Sequence, residues 1–462
     1  MTGSRVICSG CGYEAPPDDP FTFRCPYRGN GGDHVMTRVL DWPAVAWPTG
    51  SEPNPFVRYR TLSHAYHVAR GRGMTDEAYV ELVGDLDRAV AEVDGHGFVV
   101  TPFAAQPALA ERSGVADLWV KDETGSVSGS HKGRHLMGLV ILLEVVERIG
   151  LAGRGHGRRL AIASCGNAAL AAAVVARAGD RPLDVFVPTW AEPAVLSRLE
   201  DLGALIHVVP RQDGVPGDPT YHALQVAIGE GAVPFTCQGP DNGLTVEGAM
   251  TLGYEMADGA RSAGVAFDRL FVQVGGGALA SAVVQGLREA ASLGAMEELP
   301  RLHAVQTRGG YPLARAYDRV AARILERLGE PASLAGSAEG ADRIREKAGS
   351  PEVEEELFSA ARDRSSYMWP WETEPTSLAT GILDDETYDW LAVVRGMVET
   401  GGFPVLVSEA TLEAGNVLAR EATGIDVDHT GSAGLAGLLE MKGAGEVDTE
   451  ERTAVLLTGI RR

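Results

Sequence analysis

The sequence predicts an α/β protein built mainly on parallel sheets, and three observations lead there. Apolar runs of strand length alternate with longer helical ones through most of the 462 residues. Small residues stand at strand-to-helix junctions, as in Ser164-Cys165-Gly166-Asn167 and Gly275-Gly276-Gly277. Composition is that of a globular chain with a sizeable core, 45% hydrophobic and 23% charged. At ~150 residues per domain the length predicts about three units, or two with elaborations.

The elements follow in order. Residues 1–40 are rich in Cys, Gly and Pro and too poor in apolar residues for a core, so they need a staple or a docking surface. Cys8, Cys11 and Cys25 crowd there, which suggests a metal rather than a bridge. Pro43, Pro48, Pro53 and Pro55 make residues 41–60 an irregular linker. Strands are expected at 116–121, 159–163, 183–187, 204–209, 270–274 and 302–306. Helices are expected between them at 136–149, 168–177, 194–202, 247–257 and 279–291. Such alternation requires right-handed crossovers between parallel strands. Residues 313–363 read as a polar helical insertion, with Glu352, Glu354, Glu355 and Glu356 on a solvated face. A strand at 404–407 and a helix at 433–439 return to the core pattern. Cys165 and Cys237 read as small buried thiols.

Charge excludes some functions. Lys and Arg number 41 against 63 Asp and Glu, a formal charge of −22, which argues against nucleic acid or an anionic membrane as main partner. No run approaches the ~18 apolar residues of a spanning helix, and the start has no signal-peptide core. A cytoplasmic protein is expected. Only four basic residues are lysines: Lys121, Lys132, Lys347 and Lys442. A side-chain amine nucleophile has only those candidates.

Four constellations carry chemistry. In Gly129-Ser130-His131-Lys132 a strand and a Gly/Ser loop lead to an apolar helix. Lys132 falls at or just before that helix start, where the dipole disfavours a cation and burial would depress the amine further. Such a lysine suits Schiff-base chemistry; the alternative is an ammonium snorkelling to water. Ser164-Cys165-Gly166-Asn167 exposes backbone N–H groups at a helix start, either for an anion or as an ordinary capped turn. Gly275-Gly276-Gly277-Ala278-Leu279 follows a strand and suits a phosphate, or is only a tight turn. No acid ends the next strand, so a dinucleotide is disfavoured. Thr430, in Asp428-His429-Thr430-Gly431, is a helix cap or a partner for a ring nitrogen.

Together, in this order, the motifs resemble the β-family (fold-type II) pyridoxal-phosphate enzymes, most closely the threonine synthase branch. Thr101-Pro102 and Lys121-Asp122-Glu123 resemble its opening segment and Lys-x-Glu strand, and the likeness covers about residues 95–440. It implies the tryptophan synthase β-like fold of two three-layer domains: 41–131 with 245–462 as the larger, with a helical insertion at about 313–380, and 132–244 as the smaller. It also implies that Lys132 carries the cofactor and acts as general base. Asn167 would contact the ring oxygen, and Ser164, Cys165 and Gly166 the substrate carboxylate. Gly275, Gly276, Gly277, Ala278 and Leu279 would bind the phosphate, and Thr430 the pyridine nitrogen. A neutral hydroxyl there would leave the ring largely unprotonated, suited to elimination or replacement at a β or γ carbon.

The His131-Lys132 pair is similar to that of the tryptophan synthase β subunit, where the His contacts the cofactor phosphate. Arg134 would meet a substrate phosphate or form a surface salt bridge. The branch often begins with a zinc-ribbon-like segment. Here Cys8, Cys11 and Cys25 would be ligands with His34 as the fourth, because Arg28 stands where a second Cys-x-x-Cys needs its cysteine. Otherwise residues 1–40 are a metal-free flap. The expected activity is that of a threonine synthase-like lyase acting on a small amino acid, as a homodimer. The alternatives are a serine or threonine dehydratase, a β-replacing synthase, a non-catalytic binder of the same ligands, or a zinc-ribbon adaptor for nucleic acid.

Overall fold

Nearly continuous apolar strands bury both faces of a sheet, and that is what the centre of this chain forms. The computed structural model describes residues 3–153, 158–211 and 217–462. β1 (Ser4–Cys8) and β2 (Met36–Leu40) pair as an antiparallel ribbon. Next come β3 (Phe103–Ala105), β4 (Asp117–Asp122), β5 (Leu160–Ala163), β6 (Leu183–Pro188), β7 (Leu205–Val209) and β8 (Val233–Pro234). β9 (Arg269–Gln273), β10 (Arg301–Thr307), β11 (Val405–Val407) and β12 (Arg452–Leu457) complete the set.

One sheet has the order β11-β10-β9-β12-β4-β3, with only β3 antiparallel to its neighbour. The other has the order β7-β6-β5-β8 and is parallel throughout. The α/β expectation with two parallel sheets holds. Each sheet has its own core. All of β9 is buried, and the Ala-rich helix Asn167–Ala178 buries eight successive residues beside the four-stranded sheet.

Departures from expectation have physical reasons. The linker after residue 40 is pinned rather than irregular. Asn54 caps a short helix, Pro55–Arg58, and Trp47 Nε1 (3.0 Å) and Tyr59 Oη (2.8 Å) donate to Asp258. Helices His64–Gly71 and Asp76–Asp94, the second capped by Thr75, precede β3 unannounced. β12 was not expected, yet it is the strand between β9 and β4. In the insertion, Glu356 is buried, accepting from Arg327 Nε at 2.8 Å and Tyr367 Oη at 2.6 Å, so the acidic run is not wholly a solvated face. Residues 1–40 dock through Arg38, a buried guanidinium paired with Glu289 (2.9 Å) and Glu247 (3.3 Å).

Candidate active site

The carboxyl ends of β4, β9 and β12 lie along one edge of the larger sheet, where ligands bind in open α/β folds. β4 delivers the loop that ends at Lys132. That loop turns at Ser128, held at φ 61° with its N–H donating to Asp94 at 2.8 Å. A non-glycine residue in the left-handed region costs about 1 kcal/mol or more, so the turn is enforced by its neighbours. Lys132 is the first residue of the helix Lys132–Arg148. It is half-buried, and among the described residues its amine makes no hydrogen bond or ion pair.

His131 sits just before the helix. Its Nδ1 lies 3.3 Å from Thr458 O, a carbonyl that can only accept, so Nδ1 carries the proton. Nε2 is then a bare acceptor, buried without a hydrogen-bond partner among the described residues. Burial, with Lys132 beside it, holds the ring neutral.

Arg134 corrects both expectations placed on it. It is fully buried, reaching neither a substrate nor the surface. Its guanidinium holds Glu123 (2.8 Å), Glu255 (2.5 Å) and Thr101 Oγ1 (3.0 Å). Lys121 joins the same network through Glu255 and Thr101 O.

β5 ends at Ala163 and delivers the second loop. Gly166 precedes the helix Asn167–Ala178, with no side-chain cap. Ser164 Oγ accepts from Gly166 N at 3.4 Å, and Asn167 Oδ1 accepts from Arg462 Nε at 3.2 Å, which leaves the Asn167 NH₂ to donate elsewhere. Cys165 is a half-buried free thiol and Cys237 a buried one.

The glycine loop joins β9 to the helix Ala278–Ser292. Gly277 has φ 92°, and no side chain caps the helix, although Ala278, Leu279 and Ala280 are buried. Uncapped N–H groups in a buried first turn are an anion site. Residues 382–389 lie across the loop. A Cβ on Gly275 would stand 2.8 Å from Ile382 Cα and against the Asp384 carboxylate, and one on Gly277 would stand 2.9 Å from Thr387 Cγ2. Thr387 Oγ1 donates to Gly275 O and Asp389 N to Gly276 O, both at 2.9 Å.

Thr430 lies in the helix His429–Gly443, which Asp428 caps through Gly431 N, so the threonine is not the cap. Thr430 Oγ1 accepts from Gly381 N at 3.0 Å, leaving its O–H free to donate. Gln273 Nε2 binds Gly431 O (2.9 Å) and Thr458 Oγ1 (2.6 Å), fixing this helix to the end of β9. Gly459 bridges to Ser130, and a Cβ on it would come 3.0 Å from Asn167 Nδ2 and 3.2 Å from Asp428. The four motifs therefore adjoin one another. They offer an unpaired amine, an anion cradle, an amide donor and a hydroxyl donor, the set that a phosphorylated pyridine aldehyde requires.

Sequence reasoning missed Gly381, Asp384, Tyr388 and Asp389. They belong to an aperiodic stretch just beyond the expected insertion, where only the acidic run Asp384-Asp385-Glu386 gave any signal. Burial raises the Asp384 carboxyl to about 6, opposed by Lys132 and the Gly276 N–H, while Asp385 and Asp218 add to the rise. Burial raises Asp389 to about 7, with the Gly239 N–H opposing and Asp33 reinforcing.

The amino-terminal cluster also assembles. Cys8 Sγ lies 3.5 Å from His34 Nδ1 and Cys11 Sγ 3.6 Å from Cys25 Sγ, with all four ligand atoms within 4.8 Å of one another. His34 Nε2 meets Asn30 Oδ1 at 2.8 Å, which fixes the tautomer and leaves Nδ1 bare toward the thiols.

A family model described as "Pyridoxal-phosphate dependent enzyme" matches residues 96–459. The threonine synthase of Methanosarcina acetivorans is 25% identical over 361 residues, 78% of this chain and 74% of that protein. Among solved structures, diaminopropionate ammonia lyase from Escherichia coli has a TM-score of 0.56 at 16% identity, covering 83% of this chain and 88% of that one. Threonine deaminase isoform 2 from Solanum lycopersicum has a TM-score of 0.54 at 15% identity, covering 84% and 91%. At such identities the two structures establish the fold, that of the tryptophan synthase β-like enzymes.

Proposed function

This chain belongs to the pyridoxal-phosphate dependent enzyme family, and from that premise we propose that it catalyses elimination or replacement at the β or γ carbon of a small amino acid, as a threonine synthase-like lyase. The carrying observation is the unpaired Lys132 amine at the start of its helix, beside the anion cradle.

When bound, pyridoxal phosphate supplies an electron sink for the substrate's α carbon. The uncapped turn at Ala278, Leu279 and Ala280 would hold the phosphate, and Gly275–Gly277 would keep side chains off it. Thr430, whose Oγ1 already accepts from Gly381 N, would offer its O–H as a neutral hydrogen-bond donor to the ring nitrogen. The Asn167 NH₂ would donate to the ring oxygen, and backbone N–H groups of residues 164–166 would orient the substrate carboxylate. Lys132 Nζ would hold the cofactor and, once released from it, would serve as the base for the substrate's α proton.

The test is the absorption spectrum of the purified chain with added cofactor, beside Lys132→Ala. A near-visible band is expected in the parent and absent in the variant. A parent without the band overturns the proposal.

We also propose that Cys8, Cys11, Cys25 and His34 hold zinc. Ligands around tetrahedral zinc at ~2.3 Å stand about 3.8 Å apart, close to the spacings of these thiols and this imidazole. About one zinc per chain is expected by metal analysis and is lost in Cys11→Ser; a metal-free parent overturns the site.

A further inference from the structure

The residues beside two of the candidate metal ligands each grip a different part of the fold. Arg24 precedes Cys25. It donates to Gln225 Oε1 at 2.7 Å and pairs with Asp241, a carboxylate with no exposed surface. Gln225 lies on the helix Pro219–Gly229, which packs on β5 and β6 of the four-stranded sheet, and its Nε2 also donates to Asp241 at 3.0 Å. On the same side Phe23 O accepts from Gly243 N at 3.2 Å.

Asp33 precedes His34 and faces the other way. Its buried carboxylate accepts from Trp390 Nε1 at 3.1 Å and lies 3.5 Å from the Arg364 guanidinium, while its N–H donates to Ala361 O at 2.6 Å. Trp390 is fully buried and opens the helix Trp390–Thr400, which packs on β10 of the six-stranded sheet. The residue before it is Asp389, whose N–H donates to Gly276 O at 2.9 Å. Asp389 also accepts from Gly239 N at 3.3 Å, and a Cβ on Gly239 would run into Asp389 on one side and stand 3.1 Å from Val35 Cγ1 on the other. Direct contacts therefore run from His34 and its neighbours to the glycine loop.

The two arms are poorly joined by the chain itself. The eight residues between Cys25 and His34 form only turns and bends, and Gly29 and Gly31 there have positive φ. A metal bound by both Cys25 and His34 short-circuits that stretch. The energy of filling such a site goes into ordering the segment around it.

We infer that the metal at Cys8, Cys11, Cys25 and His34 is a clasp for the active site, and that its occupancy sets the affinity for the cofactor's phosphate. This rests on the two readings above, of the cluster as a zinc site and of the glycine loop as a phosphate cradle. The metal fixes His34 and thereby Asp33. Asp33 holds Trp390, and with it the Asp389 N–H on Gly276. Such coupling is reciprocal, so bound cofactor tightens the metal by the same factor.

The test titrates the full chain with pyridoxal 5′-phosphate and, separately, with pyridoxal, following the near-visible band before and after a chelator strips the zinc. Stripping is expected to weaken pyridoxal phosphate by about fivefold or more, and to leave pyridoxal, which has no phosphate, within about twofold. Added zinc restores the affinity. Competing zinc away with a chelator, with and without bound cofactor, is expected to give the same factor. Trp390→Phe keeps a ring in the core but deletes the N–H that Asp33 accepts; it is expected to bind zinc and to lose the dependence. Equal pyridoxal phosphate affinity with and without zinc overturns the inference. Equal weakening of both probes also overturns it, because the loss is then not in the phosphate cradle. Should Trp390→Phe not fold, the chelator competition on the parent decides. A parent without zinc, or without the band, fails the reading beneath the inference and the inference with it. A parent that binds both, each indifferent to the other, sinks only the inference.

Discussion

Lys121 and Lys132 stand on one stretch of chain and lead opposite lives. Lys121 ends inside β4 with no exposed surface, its ammonium bound to Glu255 and Thr101 O and close to Glu123. Lys132, one loop later, is half-buried and has no hydrogen-bond or ion-pair partner among the described residues. The difference separates a structural amine from a reactive one. Burial alone does not activate a lysine when two carboxylates and an arginine complete a neutral network around it. Freedom from any hydrogen bond or ion pair among the described residues, at a helix start that repels cations, leaves the nitrogen available.

Exchanging the roles of these lysines is the sharpest way to break the comparison. Lys132→Ala should lower activity by ~10³-fold or more, because it removes both the covalent link and the base, while the urea midpoint stays near the parent's. A variant that keeps a tenth of the activity would make Lys132 dispensable.

Lys121→Met should do the reverse. It leaves Glu255 with Arg134 as its only cation in a dry core, and removing one partner of a buried pair costs about 3–5 kcal/mol. Urea denaturation reads that loss. The cofactor band per folded molecule should be unchanged, and a lost band would give Lys121 a place in the chemistry.

Gly275→Ala tests the surroundings of the reactive amine. The added methyl would run into the Asp384 carboxylate and stand 2.8 Å from Ile382 Cα, so the cover must shift. Cofactor affinity should fall by roughly tenfold, about 1.4 kcal/mol, read by titrating the band. Unchanged affinity would show that the covering segment yields freely.

The smallest expected effect is a slope with pH. Burial raises the folded Asp389 carboxyl from 3.8 to about 7, so between those values the folded chain binds more protons than the unfolded one. Stability from this group is present at low pH and falls as pH rises toward 7. Asp389→Asn should flatten that part of a melting-temperature profile and leave its low-pH end in place. An identical slope in the variant would assign it to other carboxylates.

The legible part of the site was local. Lys132, Ser164–Asn167, Gly275–Leu279 and Thr430 each sit in a short run whose small or hydroxylic residues advertise a strand-to-helix junction. What depended on distant partners was not legible. Arg134 reads as a surface charge until Glu255, 121 residues away, is placed beside it. Asp384 reads as loop polarity because nothing local shows that the loop crosses the glycines. Among fold elements the alternating core was readable. β12 was not, since its apolar run of four residues, Ala454 to Leu457, after several helices has no periodicity to separate it from a buried helix end.

That strand also sets a timetable for synthesis. β12 fills the gap between β9 and β4, and Arg452 meets Asp117 across 335 residues of chain. At ~5–20 residues per second a ribosome takes about 20–70 s to make that interval. Throughout it β4 lacks its β12 neighbour, as β9 does once it is made, and the Lys132 loop lacks the Gly459 bridge and the Thr458 carbonyl that hold it. The nascent chain therefore carries an open β4 edge for most of that interval and a second open edge once β9 is made, and the reactive centre is completed only when Thr458 and Gly459 emerge.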